Sequence, residues 1–384
     1  MRYASAVDAR IKVCHIASGD LWAGAEAQIA NLLRALVRQG TLNLSAILLN
    51  HGRLADELRS LGIETAVIPE GEKGFTGIYS EASQLLAGRD VQILHSHRYK
   101  ENLLAALVAR RCRIPHLVRT QHGLPEPQQG FRGVKQGLIR GLDRFAARRS
   151  SARVISVSTE MTRQLSRHMD SRRIVTIPNG IDPDAVTSRF TPGEARERLG
   201  IFPGVPVIGT AGRLEPIKRL DLFLQAAARI AAHSGQARFV IAGDGRERQR
   251  LQALARALRL EDKVLFLGHR DDVYDVLRAL DLLVLSSDHE GLPMVLLEAL
   301  CLGTTVVARN VGGISEVIRN DVNGILIDSS DPESLAEACV QLLGDPPRRA
   351  RLSAAGARTV REGFSAQATA AQVYALYRSL MESK

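Results

Sequence analysis

Short apolar runs of strand length alternate with helix-length stretches along nearly the whole chain, and this alternation limits the folds open to it. The runs cover residues 11–17, 44–49, 64–68, 91–94, 115–120, 153–157 and 173–177 in the first half. In the second half they cover 205–210, 239–242, 264–267, 281–285, 304–308 and 323–327. Strands that alternate with helices pair in parallel and carry the helices on the faces of the sheet. Each half therefore reads as an α/β, Rossmann-like domain. Pro178-Asn179-Gly180-Ile181-Asp182-Pro183-Asp184 lies between them, is dense in turn formers, and fits a linker. Asp182 and Asp184 flank Pro183 there and read as turn chemistry rather than a metal-binding pair. The sequence predicts one domain over 1–185, a second over 186–363, and a terminal helical segment over 364–384.

Charge separates the halves. The chain has 384 residues and a net charge of +10. Residues 1–185 hold 26 basic and 17 acidic side chains, against 25 and 24 in the remainder. Between residues 98 and 173 the count is 17 basic to 5 acidic, which predicts an anionic partner for the first half. Aromatic residues make up only 4%, which argues against base stacking on single-stranded nucleic acid. Cys14, Cys112, Cys301 and Cys339 are far apart and lack Cys-x-x-Cys spacing, so neither zinc nor a redox dithiol is expected. A reducing cytoplasmic setting is the expectation. The N-terminus reads as lacking a signal peptide, and no apolar run approaches the ~18 residues of a membrane span. Residues 131–149 predict a helix whose Arg140, Arg144 and Arg148 form an i, i+4 row. That row is either a solvated face or a contact with an anionic membrane.

The richest stretch runs from Ser286 to Leu300, SSDHEGLPMVLLEAL. Residues 281–285 predict a buried strand, Ser286 to Glu290 a polar loop, and Gly291 a turn. Pro293 suits the first position of a helix, because its missing N–H would be unpaired there anyway. The helix N-terminus is expected over Leu292 to Val295. Its unpaired N–H groups and partial positive charge suit phosphate. Glu290 precedes this helix and Glu298 lies on it, so two carboxylates can hold the ends of one elongated ligand with a phosphate between them. Spacing alone equally allows two solvated glutamates that favour the helix start.

Other loops follow strands, where ligands bind in parallel α/β sheets. Gly24 and Glu26 lie in a loop after the first strand, where glycine lets backbone approach a ligand. His95 and His97 follow the fourth run and His122 the fifth, as satisfied loop residues or ligand contacts. Arg213 and Lys218 follow the strand over 205–210 and can grip phosphate oxygens, the first as a fork and the second as a point charge. Gly243 and Arg270 follow the next two strands.

The stretch Glu290-x7-Glu298, then a strand, then Gly312-Gly313-Ile314-Ser315-Glu316, resembles the signature of the retaining GT-B glycosyltransferases of family 4. Gly24-Ala25-Glu26, Gln121-His122-Gly123, Pro178-Asn179-Gly180-Ile181-Asp182 and the Arg213/Lys218 spacing are similar to that family's motifs. The resemblance implies two Rossmann-like domains facing an interdomain cleft, with the terminal helix crossing back to the first domain. It implies transfer of a sugar from a nucleoside-diphosphate sugar to an acceptor hydroxyl, with retention and without a metal or other cofactor. Glu290, His122, Arg213 and Lys218 become the expected catalytic residues. Gly24, Gly243, Arg270, Gly291, Leu292, Pro293, Met294, Val295 and Glu298 become further donor contacts, with Glu298 on the ribose. Glu26, His95 and His97 are expected on the acceptor side. Partners would be the nucleotide sugar and a glycan or lipid-linked acceptor in polysaccharide, lipopolysaccharide or glycolipid assembly, with peripheral contact at the inner membrane face. Arg219 stands where the family has glycine after the lysine, so a different loop geometry is expected. An epimerase of the same architecture, or a nucleotide-sugar-binding protein without turnover, remains open on the sequence.

Overall fold

The computed structural model describes residues 10–19, 22–97, 99–123 and 153–382. The basic helix expected over 131–149, with Arg140, Arg144 and Arg148, lies outside the described residues. The chain divides into two compact units, Met1–Pro178 with Ala366–Lys384, and Asn179–Ser365.

In the first unit seven strands form one sheet in the order β3-β2-β1-β4-β5-β6-β7. They are β1 Ile11–Ala17, β2 Leu42–Leu48, β3 Glu64–Val67, β4 Ile93–Ser96, β5 His116–Gln121, β6 Arg153–Ser156 and β7 Ile174–Thr176. Every pairing is parallel. Side chains along a strand alternate between faces, and β1 shows the consequence. Val13 and Ala17 enter a core shared with the helices Gly24–Gln39, Arg53–Ser60 and Ala366–Glu382. Cys14 and Ile16 enter a second core shared with Phe75–Leu86 and Tyr99–Cys112. The C-terminal helix thus covers the Val13 face, through Ala370, Val373 and Tyr377.

The second unit has six strands in the order β10-β9-β8-β11-β12-β13. They are β8 Val207–Ala211, β9 Arg238–Ala242, β10 Val264–Gly268, β11 Leu282–Leu285, β12 Thr305–Arg309 and β13 Ile325–Ile327. These pairings are parallel too. All of β8 and β11 is buried, as a parallel sheet covered on both faces requires. One face packs on Leu220–His233, Arg248–Ala257 and Pro332–Gly344, where Phe223 meets Phe239 edge-on with centroids 6.3 Å apart.

Two features depart from the sequence reading. The units divide at 178/179 and 365/366 rather than at 185/186 and 363/364. The reason is backbone bonding: the Ile181 N–H donates to the Phe364 carbonyl at 3.0 Å, and Ile181 pairs with Ser365. The second departure is a helix over Pro346–Gly363, which the sequence reading passed over because its apolar stripe is thin. Only Leu352, Gly356 and Val360 are buried along it. A Cβ on Gly356 would lie 2.6 Å from a Leu300 methyl, so the absent side chain lets this helix pack against Met294–Cys301.

Candidate active site

Strand order in the second unit reverses between β8 and β11, and the crevice at their carboxyl ends is where open α/β sheets bind ligands. The loop after β8 brings Arg213 and Lys218 there, and the loop after β11 brings Ser287 and Glu290. All four line one pocket, together with Thr210 and Gly212. Lys218 Nζ donates to both Glu290 oxygens, at 2.7 and 3.0 Å, and the Ser287 hydroxyl donates to Oε1 at 2.5 Å. Glu290 is 7% exposed and the Lys218 side chain 25%. Such a desolvated carboxylate needs its cation.

The two loops are stitched together by backbone. Ser286 Oγ donates to the Lys218 carbonyl at 2.9 Å, and the Asp288 N–H to that of Ile217 at 2.9 Å. Arg219 adopts the left-handed conformation, φ 48° and ψ 46°, so the turn that a glycine would make freely is kept with arginine. Asp221 and Asp288 hold the Arg219 guanidinium at 3.1 and 3.2 Å, and the bond to Asp221, above all, raises its pKa. Arg309 shares Asp288 Oδ1 with Arg219 and donates to the Ser287 carbonyl at 3.1 Å. Gly312 presses on the same loop. A Cβ there would lie 1.8 Å from the Glu290 carbonyl oxygen, and the Gly313 N–H donates to Gly291 at 2.8 Å.

The adjoining helix runs Met294–Cys301, with Pro293 at its N-cap rather than its first turn and no side chain capping it. Leu292 and Met294 are buried, so they offer a ligand only backbone at this terminus. Asn179 supports the turn by donating to the Leu292 carbonyl at 2.8 Å. Glu298 lies on the helix, buried, and does not line the pocket that gathers Arg213, Lys218 and Glu290. Two expected donor residues are engaged within the protein. Arg270 is gripped by Asp272 at 2.7 and 2.6 Å, which raises its pKa. Gly243 is required by packing, because a Cβ there would lie 1.9 Å from the Gly212 carbonyl oxygen.

In the first unit the order reverses between β1 and β4. Gly24 and Glu26 lie within the first turn of the helix Gly24–Gln39, not in a loop, and Glu26 is buried. Register sets His15 beside His95, and His95 beside Val118, two residues before Thr120. His95 belongs to β4, and both His95 and His97 are interior, at 0% and 1% exposure, rather than on an acceptor-facing surface. His122 follows β5 and is half-buried. Nδ1 of His15 lies 2.9 Å from Nε2 of His97, whose Nδ1 lies 3.3 Å from Nε2 of His122. Nδ1 of His95 lies 2.6 Å from the Tyr377 hydroxyl, and its Nε2 lies 2.8 Å from Thr120 Oγ1. Burial lowers the His15 pKa to about 3 and pushes that of His95 well below its ordinary value. Ligand nitrogens of His15, His95 and His97 lie within 4.8 Å of one another, but each already serves a hydrogen bond rather than converging at the ~2.0–2.1 Å a zinc ion needs.

These two sheets define an α/β protein built of two Rossmann-like domains. Comparison narrows the class. A family model described as glycosyl transferases group 1 matches residues 193–359, and one described as glycosyltransferase family 4 matches residues 22–185. The D-inositol 3-phosphate glycosyltransferase of Geodermatophilus obscurus is 32% identical over 311 residues, covering 76% of this chain and 67% of that protein. The UDP-Gal:alpha-D-GlcNAc-diphosphoundecaprenol alpha-1,3-galactosyltransferase of Escherichia coli is 30% identical over 270 residues, covering 68% and 69%. The structure of Anabaena HepE with UDP-glucose superimposes with a TM-score of 0.83 at 21% identity, over 96% of this chain and all of that one. The chain belongs to the family 4 glycosyltransferases and has the α/β GT-B fold.

Proposed function

We propose that this glycosyltransferase moves a sugar, with retention, from a nucleoside-diphosphate sugar to an acceptor hydroxyl without a metal ion. The Lys218–Glu290 pair, beside Arg213 at the β8–β11 switch point, carries the reading. Cleaving the sugar–phosphate bond leaves charge on the diphosphate. Arg213, Lys218 and the first N–H groups of Met294–Cys301 are the donors assigned to that charge, as preorganised electrostatic catalysis. An ammonium has three donors, so Lys218 can serve a phosphate oxygen while still bound to Glu290. Glu290 is assigned to the transferred sugar, His122 to a sugar hydroxyl and Glu298 to the ribose. Attack from the face that the diphosphate leaves retains configuration, and the leaving phosphate takes the acceptor's proton.

The acceptor proposed is a hydroxyl on a phosphate-bearing or lipid-linked group, in cell-surface polysaccharide, lipopolysaccharide or glycolipid assembly at the inner membrane face. Two observations favour this. The similar proteins are named for D-inositol 3-phosphate and a diphosphoundecaprenol-linked sugar. Residues 98–173 carry 17 basic against 5 acidic side chains. HepE in complex with UDP-glucose makes UDP-sugars the first donors to try.

The test is a panel of UDP-, GDP-, ADP- and TDP-sugars, followed by release of nucleoside diphosphate with and without membrane lipid extract and with a chelator. Release from one donor, stimulated by extract and unaffected by chelator, is the expected result. An epimerised sugar nucleotide formed without acceptor would overturn transfer, and loss of turnover in chelator would overturn metal independence.

A further inference from the structure

Three arginines of the second unit gather at the end of its sheet opposite the candidate active site. Val207 opens β8, Asp281 directly precedes β11 and Thr305 opens β12. A cavity of about 230 Å³ lies at these amino ends, with Arg196, Arg278, Asp281 and Arg349 on its wall. Ser286 to Glu290 follow the carboxyl end of β11. The length of that strand, at ~3.3 Å per residue, keeps the two places apart. Among the described residues Asp281 is the one acid on the wall, which therefore carries a net charge of +2. The surplus is local, because residues 186–384 as a whole hold 25 basic and 24 acidic side chains.

Local structure explains why these cations crowd together. Each serves open carbonyls at the C-terminal end of a helix, where positive charge is favoured. Arg196 Nε donates to the carbonyl of Ala279, the last residue of Val273–Ala279, at 2.8 Å. Arg278 Nη1 donates to that of Leu302, which caps Met294–Cys301, at 2.6 Å. Arg349 Nη1 donates to that of Leu342, in the last turn of Pro332–Gly344, at 3.0 Å. Asp281 is committed to Arg196: its Oδ2 lies 2.9 Å from Arg196 Nη2 and accepts from the Val207 N–H at 2.9 Å. Arg349 Nη2 stays 3.6 Å from Asp281 Oδ1, too far for a hydrogen bond. A guanidinium has five N–H donors. Helix capping thus leaves Nε and Nη2 of both Arg278 and Arg349 without an acceptor among the described residues. The helix Pro346–Gly363 begins at the same cavity but brings only its dipole. Pro346 and Pro347 lack an N–H, and Asp345 accepts that of Arg348.

We propose that this cavity binds a phosphate group through Arg278 and Arg349, at a site separate from the donor crevice. The Nε and Nη2 donors of a guanidinium form a planar fork that matches two oxygens of one phosphate. The Arg196 and Arg349 side chains are only 18% and 23% exposed, so an anion held between them is screened by salt less than one on the open surface. The phosphate is either a free small anion or the headgroup of a lipid, and the test separates these sources. The site rests on the geometry of the second unit and not on the reading of sugar transfer.

The experiment titrates the full-length chain with inorganic phosphate, against chloride at equal ionic strength, and follows the thermal midpoint. An Arg213→Ala/Lys218→Ala background removes the donor crevice as a phosphate site and is expected to keep the stabilisation. In that background Arg278→Gln is expected to weaken binding about tenfold, the loss of one charge-assisted contact. Asp281→Asn keeps an acceptor for the Val207 N–H but removes the negative charge from the wall. It is expected to tighten binding about threefold, a gain that arginines serving only as helix caps would not give, and it carries the test if Arg278→Gln does not fold. The same proteins are sedimented with phosphatidylcholine vesicles with and without phosphatidic acid. Phosphate binding moved by these variants supports the site with a free anion. Binding to phosphatidic acid alone, lost in Arg278→Gln, supports it with a lipid headgroup. No binding of either probe in the double-variant background, or binding that neither Arg278→Gln nor Asp281→Asn alters, would overturn the site. Sugar transfer enters none of these readouts, so its absence would count against the proposed function alone.

Discussion

At the residue scale, the Lys218–Glu290 pair makes two separable claims. As catalytic groups, Lys218→Ala and Glu290→Gln are each expected to lower kcat by about 10²–10³-fold, the usual worth of one preorganised transition-state donor. As a desolvated pair, they are expected to be thermodynamically coupled. Lys218→Met alone leaves a buried carboxylate without its cation, whereas adding Glu290→Gln removes the charge as well. Urea unfolding should therefore find the double variant more stable than Lys218→Met, and simple additivity would refute the coupling. His15 gives a pH prediction of definite sign. Its folded pKa is depressed to about 3 by burial, against 6.5 for the ordinary group, so the unfolded chain takes up a proton between these values and the folded chain does not. Stability is full above 6.5 and falls as the pH drops toward 3, by roughly 1.4 kcal/mol per pH unit for each such histidine. The urea midpoint of His15→Gln should vary less with pH over this window than that of wild type.

At the element scale, the loops of the candidate site are positioned by backbone as much as by side chains. Arg219 holds a left-handed turn at φ 48° and offsets the steric cost with Asp221 and Asp288. Arg219→Ala loses the ion pairs and keeps the Cβ, whereas Arg219→Gly loses both. The glycine variant is expected to be the more stable of the two by about 1 kcal/mol, measured by urea or heat. If alanine is equal or better, strain at this turn is not a factor. Gly312 is tighter still, because its missing Cβ leaves room for the Glu290 carbonyl. Gly312→Ala has to displace the Glu290 loop. Donor affinity in calorimetry should drop while most of the sheet, seen by circular dichroism, stays intact.

At the scale of the whole molecule, charge and connectivity matter most. Residues 1–185 carry 26 basic and 17 acidic side chains, while the remainder is nearly balanced. Among the described residues no helix is long and apolar enough to cross a membrane. If the basic half meets anionic lipid, each basic residue near the surface contributes about 1 kcal/mol and the contact is screened by salt. Co-sedimentation with phosphatidylserine vesicles is expected at low salt and should vanish at high salt; no binding at any salt would refute it.

The alternation of strands and helices was legible in the sequence because it depends on local pattern, whereas Arg213, Lys218 and Glu290 stood out through a family resemblance and the fold brings them to one pocket. Periodicity and turn residues are short-range properties, and ligand loops follow strands by topology. Other features needed the fold. Gly243 is expected as a donor contact and Gly312 only as part of a family motif, and it takes the fold to show the Gly212 and Glu290 carbonyls filling the space where a Cβ would lie. The helix Pro346–Gly363 shows too thin a stripe to read, because glycine rather than a large apolar residue makes its closest contact. His15, His95 and Tyr377 lie far apart in sequence, and only strand register and the return of the C-terminal helix bring their hydrogen-bonding groups together. Sequence determined which chemistries were present; tertiary structure decided which groups share protons, because hydrogen bonds depend on distance in space and not along the chain.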